Sequence, residues 1–286
     1  MKNRLIFLSA LLAGICNTLF SQNKVKLSLA EWSFHTSIQN GKMTNLDFPR
    51  IARTHFDIGA IEYVSVLFES KTAVDDLVYL QKLKKECEKY HVISNLIMVD
   101  GEGNLGDTDT LKRDMAVANH YKWVKAARFL GCHSIRVNAA GEGSPEEVQK
   151  AVIDGLVKLC NYAAIYKINI LVENHWGYSS DPEWLIPVIK AVNKSNCGLL
   201  PDFGNFDKVD RYYAVEQMMP YAKGVSAKSY NFDIHGNETK IDYRKMMNIV
   251  IKSGYKSYVG IEYESDQLSE DEGIKATITL IKKSTE

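Results

Sequence analysis

The 286-residue chain lacks the features that mark a partner of polyanions or a disulfide-rich fold. It has 35 basic and 35 acidic residues, so no excess charge attracts nucleic acid or an anionic membrane. It contains no CxxC pair, and its cysteines are sparse enough to indicate scattered buried thiols. No Pro-, Gly- or Ser-rich linker divides it. A neutral or modestly charged small molecule is therefore the simplest partner.

The amino terminus has the layout of an export signal. Lys2 and Arg4 precede an apolar run from Leu5 to Phe20, and a short polar stretch follows. This order is typical of a cleavable signal peptide. A membrane anchor is the alternative, but the run falls short of the ~20 residues that span a bilayer. We predict a signal peptide over residues 1–23, a mature domain over 24–286, and a periplasmic or secreted protein without a stable membrane span.

The mature chain alternates short β-rich runs with longer amphipathic runs from end to end. Several of the short runs are almost continuously apolar, as expected of strands buried on both faces. The predicted strands are Lys26–Phe34, Ile58–Ser65, Val92–Val99, Ser134–Ala139, Ile168–Asn174, Gly198–Phe203, Gly224–Ser229 and Tyr258–Tyr263. Eight such units in roughly 250 residues favour a single α/β domain, the (β/α)8 TIM barrel. A doubly wound sheet would be expected to show a Gly-rich turn after its first strand, and none is present.

Several helices between these strands have recognisable starts. Ser144, Pro145 and Glu147 provide an N-cap, a first-turn proline and a capping-box glutamate. Asp181 begins the next helix in the same way, and Asp242 begins another. In a TIM barrel the active site lies at the carboxyl ends of the strands. The strand ends are therefore the place to search for reactive groups.

Three carboxylates stand at the ends of predicted strands. Glu173 follows strand five, Asp202 follows strand six, and Glu262 follows the apolar part of strand eight. Carboxylates that converge in a cleft raise one another's pKa unless a cation lies between them. The set therefore predicts a divalent metal or an acid/base pair. Separate structural salt bridges are the alternative for each residue.

Other side chains near these strand ends suit a carbohydrate site. Lys228 on strand seven either holds a substrate oxygen or neutralises the carboxylates. His175 lies two residues beyond Glu173, and its alternative role is to cap the backbone of a loop. Trp32 and Trp176 supply flat faces of the kind that stack on sugar rings, although barrel rims also carry aromatic residues as packing.

Three segments resemble the xylose-isomerase-like TIM barrels, the sugar phosphate isomerase/epimerase family. They are Val172–His175, Pro201–Asn205 and Gly260–Glu264. The resemblance covers the mature chain in strand order and is strongest from Ile168 to Glu264. It is fairly specific for the superfamily and weak for the substrate.

The resemblance implies a divalent metal, Mn²⁺, Mg²⁺ or Co²⁺, held by a glutamate, an aspartate, a histidine and a glutamate on strands five to eight. Glu173, Asp202 and Glu262 match three of these ligands. With Lys228 aligned, the place of the histidine is taken by Ser226. Metal binding is therefore weaker, completed by other residues, or absent.

Two further positions bear on that implied site. Asn205 stands where the family often has a histidine, and we assign it to substrate binding. His175 and His235 both follow strands on the active face and are candidates to complete a metal site.

The implied activity is isomerisation or epimerisation of a sugar by proton transfer next to a carbonyl through an enediolate. Glu173 and Glu262 would be the acid/base pair, and a metal or Lys228 would stabilise the enediolate oxygen. The same deprotonation could drive elimination from a keto-glycoside, so a lyase or hydrolase stays an alternative. The second alternative is a degenerate barrel that binds carbohydrate without catalysis.

A related class with the same barrel, the endonuclease IV group, uses several histidines and carboxylates to hold zinc. The balanced charge and the small number of histidines on the active face do not favour it. Oligomeric state is left open by the sequence.

Overall fold

The computed structural model describes residues 25–70, 73–206 and 208–286. The predicted signal peptide, residues 1–23, lies outside the described residues. Among the helices of the described part, none has both the length and the apolar character needed to cross a membrane.

Eight parallel strands form one sheet that curls into a barrel. The strands are β1 Lys26–Ala30, β2 Ala60–Val64, β3 Ile93–Met98, β4 Ser134–Asn138, β5 Asn169–Glu173, β6 Cys197–Leu200, β7 Val225–Ser229 and β8 Tyr258–Tyr263. Their order is β6-β5-β4-β3-β2-β1-β8-β7. The bridges Leu199 to Ala222 and Asp202 to Ser226 connect β6 with β7 and nearly close the ring. The predicted (β/α)8 barrel is confirmed.

Two predicted strands end clearly earlier in the structure: the run to Phe203 stops at Leu200 in β6, and β1 differs most. The run from Lys26 was expected to continue to Phe34, but β1 stops at Ala30 and Glu31–Phe34 form a 3-10 turn. Glu31 is fully buried in this turn and accepts hydrogen bonds from Asn45 Nδ2 and from the backbone of Val64. The apolar run continues past the strand because the turn is buried as well.

The helices lie outside the barrel. They are α1 His35–Gln39, α2 Phe48–Phe56, α3 Leu77–Tyr90, α4 Thr110–Leu130, α5 Pro145–Ile165, α6 Pro182–Val192, α7 Arg211–Met218, α8 Tyr243–Lys252 and α9 Glu270–Ser284. The three predicted starts are confirmed: Ser144 forms a capping box with Glu147, and Asp181 and Asp242 cap α6 and α8. Side-chain oxygens at these positions satisfy amides that lack a helical partner.

Two apolar layers hold the barrel together. The larger fills the space between strands and helices, as the buried Trp123, Leu156 and Ile261 illustrate. A smaller cluster, which includes Leu96, Leu171 and Leu200, packs separately from that layer. At the carboxyl ends of the strands polar and charged side chains are buried instead, and this is where the candidate site lies.

Candidate active site

A cavity of about 320 Å³ opens at the carboxyl ends of the strands. One part of its wall is charged and another is apolar. The charged part consists of Asp100, Arg136, Glu173, His175, Lys228, Glu262 and Glu264; the apolar part consists of Trp32, Val64, Val66 and Trp176. A pocket with these two kinds of surface suits a polar molecule that also presents an apolar face, as a sugar ring does.

Arg136 supplies a buried cation beside Glu173. Its Nε lies 2.8 Å from Glu173 Oε2, and its Nη1 donates to Asp100 Oδ1 at 2.7 Å. The Nε contact is close but not aligned as a hydrogen bond, since both atoms are buried without a hydrogen-bond partner. Glu173 Oε1 accepts from Asn205 Nδ2 at 3.1 Å. Glu173 is thus held by a charge on one oxygen and by an amide on the other.

Lys228 is the second buried cation, and its Nζ lies close to three acceptor oxygens. It is 2.9 Å from Glu262 Oε1 and donates to Glu264 Oε2 at 2.9 Å. It also donates to Asn205 Oδ1 at 3.2 Å. Lys228 therefore lies where its charge can neutralise the carboxylates, one of its two predicted roles, and its contact with substrate stays a prediction.

Asp202 lies behind the cavity rather than in its wall. The side chain is completely buried, and its Oδ1 accepts from the backbone amides of Gly204 and Asn205 at 2.7 and 2.9 Å. The Asp202 amide in turn donates to Asn174 Oδ1 at 2.7 Å. Asp202 thus fixes the turn that follows β6, while its Oδ2 is left without a partner.

Burial sets the protonation of this site. It raises the pKa of Glu173 to about 7, although the charge of Arg136 opposes the shift. It raises the pKa of Asp202 to about 7 in the same way, against the charge of Lys228. Burial also lowers the pKa of His175, and Arg136 adds to that effect. Near neutral pH Glu173 therefore exchanges readily between its acid and base forms, as a proton-transfer group should.

The two cations keep their charge. Burial disfavours the charged form of Arg136, but Asp100 and Glu173 outweigh it and raise the pKa of the guanidinium. Burial disfavours the charged form of Lys228 as well, and Glu262 and the other nearby carboxylates raise its pKa well above the usual value. Both groups therefore act as fixed positive charges rather than as proton donors.

The aromatic wall includes a residue in strained backbone geometry. Trp176 has a φ of 57°, a region that bulky residues rarely occupy, and its side chain is 51% exposed. Such strain is often found at binding sites. Trp32 is half-buried and stacks on His35, with ring centroids 4.8 Å apart. The two predicted stacking residues thus line one cavity.

The structure brings most of the predicted residues together. The cavity wall contains Glu173, Glu262, Lys228, His175, Trp32 and Trp176. Asn205 is fully buried outside that wall and connects Glu173 with Lys228, so its predicted contact with substrate stays a prediction. The exposed His235 lies outside the wall as well.

Sequence reasoning missed Arg136 and Asp100, and it did not assign a role to Glu264. The signal for Arg136 was available, because a charged residue in the middle of a predicted buried strand needs a buried partner. Asp100 is less visible in the sequence, since it follows β3 in a loop.

The implied divalent metal can be tested against these donors, and they do not fit it. Within the described residues no group of three or more His, Cys, Asp or Glu side chains is arranged to hold an ion. Ser226 stands at the place of the expected histidine, and its hydroxyl donates to Glu262 Oε2 at 3.4 Å. One oxygen of each acid, Glu173 Oε2 and Glu262 Oε1, already faces Arg136 or Lys228, at 2.8 and 2.9 Å. The features that favour a cation are two buried oxygens without a hydrogen-bond partner, Asp202 Oδ2 and Glu173 Oε2, but the second already faces Arg136.

A parallel barrel with a carboxylate-rich cavity at its carboxyl-terminal mouth defines an enzyme-like (β/α)8 protein. The sequence profile of the xylose isomerase-like TIM barrel family matches residues 55–284. The chain therefore belongs to the xylose isomerase-like TIM barrel family. A comparison with curated protein sequences finds no significant match.

Solved structures support the same fold. The chain is similar to the 3-keto-D-glucoside 4-epimerase YcjR from E. coli, with 14% identity, a TM-score of 0.72, and coverage of 91% of this chain and 100% of the other. It is similar to D-allulose 3-epimerase from Methylomonas sp., with 13% identity, a TM-score of 0.70, and coverage of 91% and 98%. It is also similar to a xylose isomerase-like TIM barrel protein from Mycobacterium smegmatis in complex with magnesium, with 14% identity, a TM-score of 0.68, and coverage of 94% of this chain and 100% of the other. At these identities the comparison shows the fold.

Proposed function

We propose that this protein is a sugar isomerase or epimerase that moves a proton next to a carbonyl group. The observation that carries the proposal is the placement of Glu173 and Glu262 in one cavity, each beside its own buried cation. They stand on β5 and β8, three strands apart around the ring, so they approach a substrate from different sides. The known epimerases among the structural neighbours support the same chemistry.

The reaction is balanced without any further reagent. One carboxylate removes the proton from the carbon beside the carbonyl, and the C–H electron pair forms a C=C bond. The carbonyl π electrons move to the oxygen, which gives an enediolate. The other group, as a carboxylic acid, returns a proton to the opposite face for epimerisation. For isomerisation it protonates the neighbouring carbon, and the hydroxyl proton moves to the former carbonyl oxygen as the new carbonyl forms. No step involves a divalent ion, because the donors do not fit one.

The substrate class follows from the wall of the cavity. Trp32 and Trp176 offer flat apolar faces, and the carboxylates in the same wall can accept hydrogen bonds from hydroxyl groups. The carboxylates outnumber the cations, which disfavours an anionic substrate. The predicted export to the periplasm or beyond agrees with an unphosphorylated carbohydrate, and we include it in the proposal.

Incubation in D2O with a panel of ketoses, inososes and keto-glycosides tests the proposal. Deuterium should appear at a carbon beside the carbonyl, as followed by NMR and mass spectrometry. The variants Glu173→Gln and Glu262→Gln should each lose exchange by about 100-fold or more. The matched control is Glu146→Gln, an acid in the first turn of α5 outside the cavity.

Three results would count against the proposal. The first is a wild-type protein that exchanges with no member of the panel. The second is exchange that survives in both cavity variants. The third is release of an unsaturated sugar from the keto-glycosides as the main product, which would replace the proposal with the lyase alternative.

A further inference from the structure

Arg136 is a cation in the cavity wall whose chemistry neither the sequence motifs nor the family resemblance assigned. It stands in the middle of β4, is 5% exposed, and lines the cavity together with both candidate proton-transfer groups. A guanidinium has five N–H donors. Its Nη1 donates to Asp100 and Asn138, at 2.7 and 3.5 Å. The remaining donors decide what this residue can do.

The donors on Nη2 are the ones that the protein leaves unused. Arg136 Nε is buried and faces Glu173 Oε2 at 2.8 Å, so it is not open to a ligand. Among the described residues, Arg136 Nη2 has no hydrogen-bond acceptor. Lys228 differs, because its single nitrogen donates to Glu264 and Asn205 and lies 2.9 Å from Glu262 Oε1 as well. Of the two cations in the cavity, Arg136 is therefore the one with a terminal nitrogen to offer a ligand.

The position of Arg136 also suits a developing negative charge. The enediolate oxygen forms on the carbon next to the one that loses its proton, so its stabilising donor must lie beside the base. Arg136 is in contact with Glu173, and Asp100 fixes the guanidinium from the other side. A donor that is held in place before the reaction stabilises such a charge without reorganising.

We propose that Arg136 is a catalytic residue that binds the carbonyl oxygen and stabilises the enediolate, in the place where a divalent metal is expected from the family resemblance. The inference rests on the proposed function. It explains how the site can work with Ser226 in place of a histidine ligand, because Arg136 on β4 supplies the positive charge that a metal would otherwise provide. Arg136 stays protonated throughout and donates hydrogen bonds only, so the proton transfers remain with the carboxylates.

The first experiment measures metal binding directly and needs no substrate. The purified full chain is titrated with Mn²⁺, and the electron paramagnetic resonance signal of free aqueous Mn²⁺ is followed. The wild-type protein should leave that signal unchanged. Binding of one Mn²⁺ per chain that disappears in Glu173→Gln would overturn the inference.

The second experiment uses the deuterium exchange assay. Exchange by the wild type should persist in EDTA and should not rise with added Mn²⁺ or Mg²⁺. Arg136→Gln should lower kcat by about 100- to 1,000-fold with a smaller change in KM, the size seen when an oxyanion donor is removed. Arg136→Lys should recover part of that loss, which a residue needed only for folding would not explain.

Arg113→Gln is the matched control, because Arg113 is also buried and paired, with its Nε 2.8 Å from Asp154 Oδ2 on the outer helices. It should exchange at the wild-type rate. Full exchange by Arg136→Gln, or exchange that EDTA abolishes and Mn²⁺ restores, would refute the role of Arg136. A wild type that exchanges with nothing refutes the proposed function, and the manganese titration then still decides whether a metal takes this position.

Discussion

The protonation of Glu173 gives the sharpest test of the site, because its pKa can be measured without a substrate. Burial raises that pKa from 4.5 to about 7, a shift that corresponds to about 3 kcal/mol in favour of the neutral form. At pH 6 a group with this pKa is about one-tenth ionised, whereas an ordinary glutamate is almost fully ionised. The difference is large enough to observe directly.

The assay is a ¹³C NMR titration of protein labelled at the glutamate side-chain carboxyl carbons. The resonance that disappears in Glu173→Gln belongs to Glu173, and its midpoint should lie near pH 7. Arg136→Gln should move the midpoint upward, because the guanidinium lowers the pKa of its neighbour. Arg113→Gln should leave it in place. A midpoint below about pH 5 in the wild type would refute the reasoning from burial.

Three further predictions concern stability. Lys228→Met should lower the free energy of unfolding in urea by about 3–5 kcal/mol, since it leaves buried carboxylates without their cation. The control Lys158→Met breaks exposed ion pairs and should cost about 1 kcal/mol or less. Equal losses in the two variants would contradict the prediction. Gly260→Ala should lower the free energy of unfolding by about 1–3 kcal/mol, because its Cβ would lie 2.6 Å from Glu62 Oε2. A double-mutant cycle with Glu62→Ala should show a smaller loss when this carboxylate is removed. Burial raises the pKa of Glu31 from 4.5 to about 8. Its contribution to stability is therefore complete below about pH 4.5 and is lost as the pH rises through about 8. The free energy of unfolding should depend less on pH in Glu31→Gln, and identical curves for the two proteins would contradict the prediction.

The barrel could be predicted from the sequence because its signals are local. Several buried strands are short apolar runs, and helix starts such as Ser144 and Asp181 are marked by side chains that accept from backbone amides two or three residues further on. These patterns need no knowledge of distant residues. The end of β1 was misplaced for the same reason: the turn that starts at Glu31 is as buried as a strand, so composition does not distinguish the two.

The charge pairing in the cavity could not be predicted with the same certainty. Glu173 and Glu262 were found because strand ends share one edge of a barrel. Their cations come from the middle of β4 and from β7, and local sequence does not say which carboxylate each will meet. Asp202 shows the opposite case: it sits at a strand end, yet two backbone amides nearby hold its Oδ1 and place the side chain behind the cavity.

The segment after β6 shows how sequence and site depend on each other. Asp202 fixes the turn, and Asn205 then lies where its amide joins Glu173 to Lys228. Gly204 makes room for that lysine and for Tyr230, because a Cβ there would lie 2.8 Å from Lys228 Cδ and 2.5 Å from Tyr230 Oη. A side chain at Gly204 would therefore force Lys228 or Tyr230 to move. The Asp-Phe-Gly-Asn sequence therefore helps to position Lys228 beside Glu262. Arg136 on β4 supplies the corresponding charge beside Glu173. Both acids are thus paired with cations that the chain itself supplies.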